Sequence, residues 1–137
     1  LRAGGIAFEI VPGVTSATAA AAAAMIPLTR RMVARRVQFV TGHDVTGGLP
    51  EDLNMAALAD PLATTIVFMP KRTFPAFAEH LVAHGLPRET PALLAENVSR
   101  PDQMLARDTV MGLAGQLADS VSDAPALILY GSLADGA

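Results

Sequence analysis

The feature that most constrains the fold is the run from residue 63 to residue 69, Ala-Thr-Thr-Ile-Val-Phe-Met, which Pro70 ends. Apolar and β-branched residues follow one another here, without the alternation of apolar and polar residues expected of a strand that has one solvent-exposed face. An unbroken run of this kind is typical of a strand in a sheet that is covered on both faces. Helices packed on each side of the sheet provide that cover, so the run predicts a layered α/β fold.

Strand and helix patterns alternate along the rest of the chain. Further strands are predicted at residues 6–11, 37–40, 91–96, 103–109 and 126–130. Helices are predicted at residues 17–25, 53–58, 74–84 and 111–117. The connections between strands are long enough for crossovers, so we expect a mixed or mostly parallel sheet flanked by helices.

An alanine tract forms the first predicted helix. Every position from 17 to 24 is Ala or Thr, Thr15 or Ser16 can cap the start, and Pro27 follows the end. Alanine favours the helix and has almost no side chain, so a neighbouring backbone can approach closely. We therefore expect this helix to be wedged against a sheet or a ligand.

The composition excludes several classes of protein. The chain has 137 residues, enough for one domain, with 51% hydrophobic and 17% charged residues, which argues against disorder. A net charge of −3 argues against nucleic-acid binding, and the absence of cysteine excludes disulfides and thiolate chemistry. The longest apolar stretch is mostly Ala and Thr between two prolines, so no membrane span is predicted. The first residues lack a secretory leader pattern, and we expect a cytoplasmic protein.

Few polar side chains suggest catalysis or metal binding. His80 and His84 share one face of a predicted amphipathic helix, where a solvated surface explains them better than a metal site, and no metal is predicted. His43 follows a strand and either faces a ligand or hydrogen-bonds local backbone. Lys71 is interpreted as a solvated charge. The arginines of residues 30–36 are interpreted as a solvated turn or, alternatively, as a patch that binds carboxylates.

Small, hydroxylic or apolar residues follow several strands and precede the alanine helix. These segments are residues 12–16, 41–43, 68–70 and 96–99. Edges of this kind bind ligands through backbone N–H and C=O groups and apolar packing, as nucleoside sites often do. The residues by themselves predict half of a small-molecule binding site.

Seven short motifs, read together, resemble the tetrapyrrole methylase family. The first three are Val-Pro-Gly-Val-Thr-Ser-Ala at 11–17, Ile-Pro-Leu-Thr-Arg-Arg at 26–31 and Phe-Val-Thr-Gly-His at 39–43. The other four follow in the family's order at residues 66–69, 81–87, 90–92 and 125–128. Each motif alone is weak, but together they extend from Phe8 to Gly131 and match the second half of members that methylate uroporphyrinogen III.

The resemblance implies a two-domain enzyme that binds S-adenosylmethionine and a tetrapyrrole in the cleft between its domains. Residues 1–13 would be a strand and linker from an N-terminal domain, and residues 14–137 the C-terminal α/β domain. The implied reaction transfers methyl groups to C-2 and then C-7 of uroporphyrinogen III and gives precorrin-2, for siroheme or cobalamin synthesis. The resemblance also implies a homodimer, and a chain of this extent would be inactive alone.

The resemblance implies four cofactor-binding residues. Thr15 and Ser16 match a Thr-Ala pair after the Pro-Gly turn, and Met69 matches a methionine that contacts the nucleoside. Val98 matches a position that is often Gly, where its side chain limits how closely a ligand can approach. Without the family, Met69 could simply cap the core. The family's catalytic acid and base lie in a part that this chain does not include, so no catalytic residue is assigned.

Two departures from the family pattern leave alternatives open. Arg30 stands where His is usual, and Pro70 follows Met69 where Gly is usual. The chain could therefore belong to another enzyme of the same superfamily, acting on a later corrin precursor or on a different substrate. A non-catalytic association module is the alternative from a different class, since the hydrophobic content leaves room for an exposed apolar patch.

Overall fold

A computed structural model describes residues 1–120 and 122–136. Five strands form one sheet in the spatial order β1-β2-β5-β3-β4. The strands are β1 (Arg36–Thr41), β2 (Ala63–Phe68), β3 (Pro91–Glu96), β4 (Met104–Thr109) and β5 (Ala126–Tyr130). The α-helices are α1 (Ser16–Ala23), α2 (Met55–Leu58), α3 (Phe74–Ala83) and α4 (Val110–Ala118), and a 3-10 turn forms at Arg2–Gly4. The predicted mixed α/β sheet is confirmed.

The direction of each strand decides which loops meet at which edge. β1 pairs with β2 in parallel, with Arg36 opposite Ala63 and Thr41 opposite Phe68. β5 is antiparallel to both β2 and β3, so those two strands run the same way, and β4 is antiparallel to β3. The carboxyl ends of β1, β2 and β3 therefore lie at one edge of the sheet, beside the start of β5.

Helices cover both faces of the sheet, as the unbroken apolar run of β2 predicts. Val67, Leu94 and Ile128 face a core built with residues of α2, α3 and α4. Their neighbours Ile66, Leu93 and Leu129 face the opposite side, where α1 supplies the cover. Alternate side chains of a strand point to opposite faces, so each strand contributes to both cores.

The alanine helix packs directly on the sheet, as predicted. Ala17, Ala20, Ala21 and Ala24 are buried against side chains of β2, β3 and β5. The guanidinium of Arg107 on β4 donates to the carbonyl oxygen of Ala24 over 2.7 Å, which fixes the carboxyl end of α1. The first turn of α1 is thereby held beside the carboxyl edge of the sheet.

The strand predicted at residues 6–11 does not form. Residues 5–15 adopt no regular element, and Ile6, Phe8 and Ile10 are exposed. A strand needs a neighbour that accepts its backbone hydrogen bonds, and no described strand pairs with this segment. A β-rich sequence alone is thus not sufficient to form a strand. Within residues 1–120 and 122–136, no helix is long and apolar enough to cross a bilayer.

Candidate functional site

The structure brings the predicted loop segments to one edge and forms a cleft there. Residues 68–70 follow β2, residues 96–99 end and follow β3, and the start of β5 lies between them. The cleft has a volume of about 500 Å³. Its lining comes from α1, β2, β3, β5 and the adjoining loops, namely Ser16, Phe68, Met69, Ala95, Asn97, Val98, Arg100, Pro125, Ala126 and Leu127.

Three of the four residues expected to bind the cofactor line this cleft. Ser16 enters from the first turn of α1, Met69 from the end of β2 and Val98 from the end of β3. Thr15 lies next to the cleft and caps α1, since its hydroxyl oxygen accepts a hydrogen bond from the Ala17 N–H over 3.3 Å. The structure thus groups the four residues, while their contact with a cofactor stays a prediction.

The backbone of the cleft is strained at three positions. Met69, Asn97 and Ser99 have φ angles of 52°, 49° and 67°, in the left-handed region that L-residues rarely occupy. Each such residue costs about 1–3 kcal/mol and persists only where its surroundings fix it. Met25 and Met32 share this conformation away from the cleft, so the strain is consistent with a site at this edge but does not identify it.

Asn97 is a cleft residue that the sequence analysis did not single out. Its amide nitrogen donates to the Asp102 carboxylate over 2.8 Å, and its backbone N–H donates to the Pro125 carbonyl over 2.9 Å. A carboxylate only accepts, so the amide nitrogen must face Asp102 and the amide oxygen must face away from it. That oxygen is buried and has no hydrogen bond to another described residue, so it is an unused acceptor in a residue that lines the cleft.

A smaller cavity of about 220 Å³ lies beside the cleft and shares Met69, Pro125 and Ala126 with it. His43 lines this cavity, and its Nδ1 is buried without a hydrogen bond to another described residue. His43 thus lies at a cavity with one unused ring nitrogen, and both of its predicted roles, facing a ligand and bonding local backbone, stay open. Nearby, Thr46 and neighbouring backbone N–H groups donate to the carboxylate of Asp44, which lowers its pKa below the ordinary value.

Lys71 is not the solvated charge that the sequence suggested. Its ammonium forms an ion pair with Glu96 and also bonds Ser122, and both charged side chains are nearly buried. The sequence did not indicate this ion pair because Glu96 lies 25 positions away, at the end of another strand, and no local pattern marks it as a partner of Lys71.

The remaining candidate residues lie elsewhere. The arginine-rich turn leads into Arg36 at the start of β1, while the cleft lies at the carboxyl edge, so these arginines do not line the cleft, and their binding of carboxylates stays a prediction. Arg36 instead pairs with Asp60. His80 and His84 are exposed on and just after α3, and His84 Nδ1 lies 2.8 Å from the His80 carbonyl oxygen. Within the described part of the chain, no cluster of three or more ligating side chains could hold a metal ion.

Fold and site together define a three-layer α/β protein with a small-molecule cleft at the carboxyl edge of its sheet. The family model "Tetrapyrrole (Corrin/Porphyrin) Methylases" matches residues 1–114. The chain belongs to this family. The sequence resemblance is confirmed, and with it the fold class.

Individual relatives and solved structures agree with the family. A siroheme synthase of Stutzerimonas stutzeri is 39% identical over 97% of this chain and 28% of its own length. An S-adenosyl-L-methionine-dependent uroporphyrinogen III methyltransferase of Arabidopsis thaliana is 36% identical over 98% of this chain and 37% of its own length. Uroporphyrin-III C-methyltransferase from Thermus thermophilus, complexed with S-adenosylhomocysteine, superposes with a TM-score of 0.80 at 27% identity, covering 99% of this chain and 57% of that one. The chain thus spans only about a third of these curated relatives.

The cleft residues fit a nucleoside-bearing cofactor. Met69, Val98 and Leu127 supply an apolar wall against which a flat base can pack. The buried, unpaired amide oxygen of Asn97 needs an N–H or O–H donor, which the amino and hydroxyl groups of a nucleoside offer. Among the described residues no cluster could hold a metal ion, and binding of a nucleoside requires none.

Proposed function

We propose that this chain is the C-terminal α/β domain of an S-adenosylmethionine-dependent uroporphyrinogen-III C-methyltransferase that makes precorrin-2. Its role would be to supply one wall of the cofactor pocket. The observation that carries the proposal is the single cleft that joins Ser16, Met69 and Val98 with the unpaired amide oxygen of Asn97. The relatives of known name support the choice of substrate.

In this proposal the residues of the chain bind and orient rather than react. When bound, S-adenosylmethionine supplies a methyl group activated by a positively charged sulfur. Met69, Val98 and Leu127 exclude water from one side of the nucleoside, and the amide oxygen of Asn97 accepts a hydrogen bond from it. Alignment of donor and acceptor to about 3 Å is the main physical demand of such a transfer, so a rigid wall is a direct contribution.

We further propose that residues 1–13 connect this domain to a preceding one and that residues 14–137 form the C-terminal domain. The exposed apolar side chains of Ile6, Phe8 and Ile10 support a contact beyond the described residues. On this basis the chain would transfer no methyl group by itself. A homodimeric, cytoplasmic enzyme stays a prediction, and light scattering of the complete protein measures its oligomeric state.

The first test is binding of S-adenosylhomocysteine to the 137-residue chain, followed by NMR. We expect chemical-shift changes confined to Ser16, Met69, Asn97, Val98 and Ala126. A half-site binds weakly, with a dissociation constant of about 1 mM, or about −4 kcal/mol, and NMR detects binding of that strength. Changes around Arg36, or none at saturating ligand, would contradict the proposal.

A second candidate function is methylation of a later corrin precursor. It is favoured by the superposition with cobalt precorrin-4 methyltransferase, at a TM-score of 0.81 and 29% identity. Methyl-transfer assays of the complete protein with uroporphyrinogen III and with cobalt precorrin-4 separate the two. Turnover of the second acceptor alone would replace the proposed substrate and leave the cofactor site unchanged.

A further inference from the structure

A single ammonium group ties together three segments of the cleft. Lys71 Nζ forms an ion pair with the Glu96 carboxylate and donates to the Ser122 backbone oxygen over 3.1 Å and to the Ser122 hydroxyl over 2.8 Å. An ammonium has three N–H donors, and each has one acceptor here. We call Lys71, Glu96 and Ser122 the ammonium clamp.

The sheet order explains what the clamp joins. β5 lies between β2 and β3, so a contact from the end of β2 to the end of β3 must cross the segment that begins β5. Lys71 comes two residues after Met69, Glu96 directly precedes Asn97, and Ser122 lies three residues before Pro125. Each member of the clamp thus lies within three residues of one that lines the cleft.

The burial of the clamp separates it from an ordinary surface ion pair. The side chains of Lys71 and Glu96 are only 12% and 10% exposed, whereas those of Arg36 and Asp60 are 53% and 31% exposed. Buried ion pairs seldom add net stability, because desolvation offsets the attraction, but they can select one arrangement among several. The arrangement selected here is the relative position of the loops after β2 and β3.

Those two loops need such a constraint. Met69 and Asn97 both have left-handed φ angles, which the surrounding structure must enforce. The clamp begins two residues beyond Met69 and ends one residue before Asn97. It therefore links the loops that carry the two strained positions across β5.

We propose that Lys71 is a positioning residue, which sets the spacing of Met69 and Asn97 for the nucleoside through Glu96 and Ser122. This inference rests on the proposed cofactor site. It assigns a role to the only lysine of the chain. Lys71 itself touches neither the cofactor nor the reacting atoms in this proposal.

The test compares five proteins by their affinity for S-adenosylhomocysteine and by the NMR signal of the Met69 methyl group. They are the wild type, Lys71→Arg, the neutral double variant Lys71→Met/Glu96→Gln, the surface control Arg36→Met and the stability control Tyr130→Phe. The double variant is used because Lys71→Met alone would leave a buried carboxylate unpaired and could fail to fold. Tyr130→Phe, which removes a buried hydrogen bond far from the clamp, serves as a control for stability loss alone.

We expect the double variant to fold, to bind about tenfold more weakly and to shift the Met69 methyl signal in the free protein, with partial recovery in Lys71→Arg. Arg36→Met and Tyr130→Phe should bind like the wild type. If the wild type binds and the double variant binds equally well, the positioning role of Lys71 is refuted and the proposed function stands. If the wild type does not bind, the proposed function fails, and the positioning role fails with it.

Discussion

Met69 and Asn97 end two different strands in the same rare backbone conformation, with φ angles of 52° and 49°, and both line one cleft. β5 separates the two strands, so the pair faces each other across the Pro125–Ala126 segment. In this conformation each chain turns away from the sheet directly after its strand. The Met69 side chain is exposed after its turn, whereas the amide oxygen of Asn97 is buried.

Replacing Met69 should weaken ligand binding without lowering the free energy of unfolding. Met69 is 55% exposed, so Met69→Gly removes little buried surface, and glycine relieves the left-handed strain. Relief of about 1 kcal/mol is offset in part by the greater backbone entropy of glycine, and the free energy of unfolding should stay level or rise. The dissociation constant for S-adenosylhomocysteine should increase about tenfold, because the thioether wall is lost.

Met25→Gly is the matched control for Met69→Gly. Met25 also has a left-handed φ, of 55°, and is 88% exposed, but it follows the far end of α1 and does not line the cleft. Chemical denaturation should give similar stability changes for the two variants, while NMR titration should detect weaker binding only for Met69→Gly. Equal affinities in both variants would remove Met69 from the site.

Removing the Asn97 amide should weaken binding through a hydrogen bond. Asn97→Gly keeps the left-handed backbone accessible and deletes the unpaired amide oxygen. A buried hydrogen bond contributes about 1 kcal/mol, so the affinity for S-adenosylhomocysteine should fall about five- to tenfold. Asn54→Gly, which alters the exposed cap of α2, should lower the free energy of unfolding by a few tenths of a kcal/mol and leave the affinity unchanged.

The fold could be predicted because its signals are local. The unbroken apolar run of β2 requires cover on both faces, and the alanine tract makes a helix that can pack tightly on the sheet. The prediction of a strand at residues 6–11 was wrong because a local signal is not enough for a strand. Its β-rich composition is also local, but a strand exists only if a partner lies beside it, and composition carries no information about partners.

The candidate site was predictable only in part for the same reason. Ser16 and Met69 lie in motifs, and Val98 matches a family position. The parallel direction of β2 and β3 brings Met69 and Val98 to one edge, and Ser16 comes from α1. The role of Asn97 depends on which side of its amide faces Asp102, and that of Lys71 depends on Glu96 at the end of another strand. Contacts between distant segments have no sequence period, so only the structure reveals them.

Adding a methyl group at Gly42 should disturb the edge where β1 meets β2. A Cβ at this position would lie 3.0 Å from the Phe68 carbonyl oxygen and 3.0 Å from the Pro70 Cα, both of them backbone atoms. Gly42→Ala should therefore lower the free energy of unfolding by about 1–3 kcal/mol and displace the loop that carries Met69. Differential scanning calorimetry measures the first effect and ligand affinity the second.

Gly115→Ala provides the control for Gly42→Ala. Gly115 lies in α4, is exposed, and a Cβ there would meet nothing within 4 Å. Alanine favours a helix over glycine by about 1 kcal/mol, so this variant should be more stable than the wild type. If both variants changed stability in the same direction, the close approach at Gly42 would not be the cause.

The phenolate absorbance of Tyr130 reports whether the chain unfolds at alkaline pH. It is the only tyrosine, and the chain has no tryptophan, so all phenolate absorbance comes from this residue. Burial raises the pKa of Tyr130 far above its ordinary value of 10, and its hydroxyl donates to the Leu58 carbonyl oxygen over 2.9 Å. The folded protein therefore keeps the phenol neutral at a pH where the unfolded chain ionises it.

The sign of the pH effect follows from that difference. A group whose pKa is raised on folding stabilises the folded state fully below its unfolded pKa, so the free energy of unfolding should decline as pH rises above about 10. Phenolate absorbance should then appear together with the loss of helical circular dichroism. Tyr130→Phe should lose about 1–2 kcal/mol at neutral pH by leaving the Leu58 oxygen unpaired, and its deficit should narrow above pH 10. Phenolate absorbance near pH 10 in a protein that remains fully folded would show that Tyr130 is not buried as described.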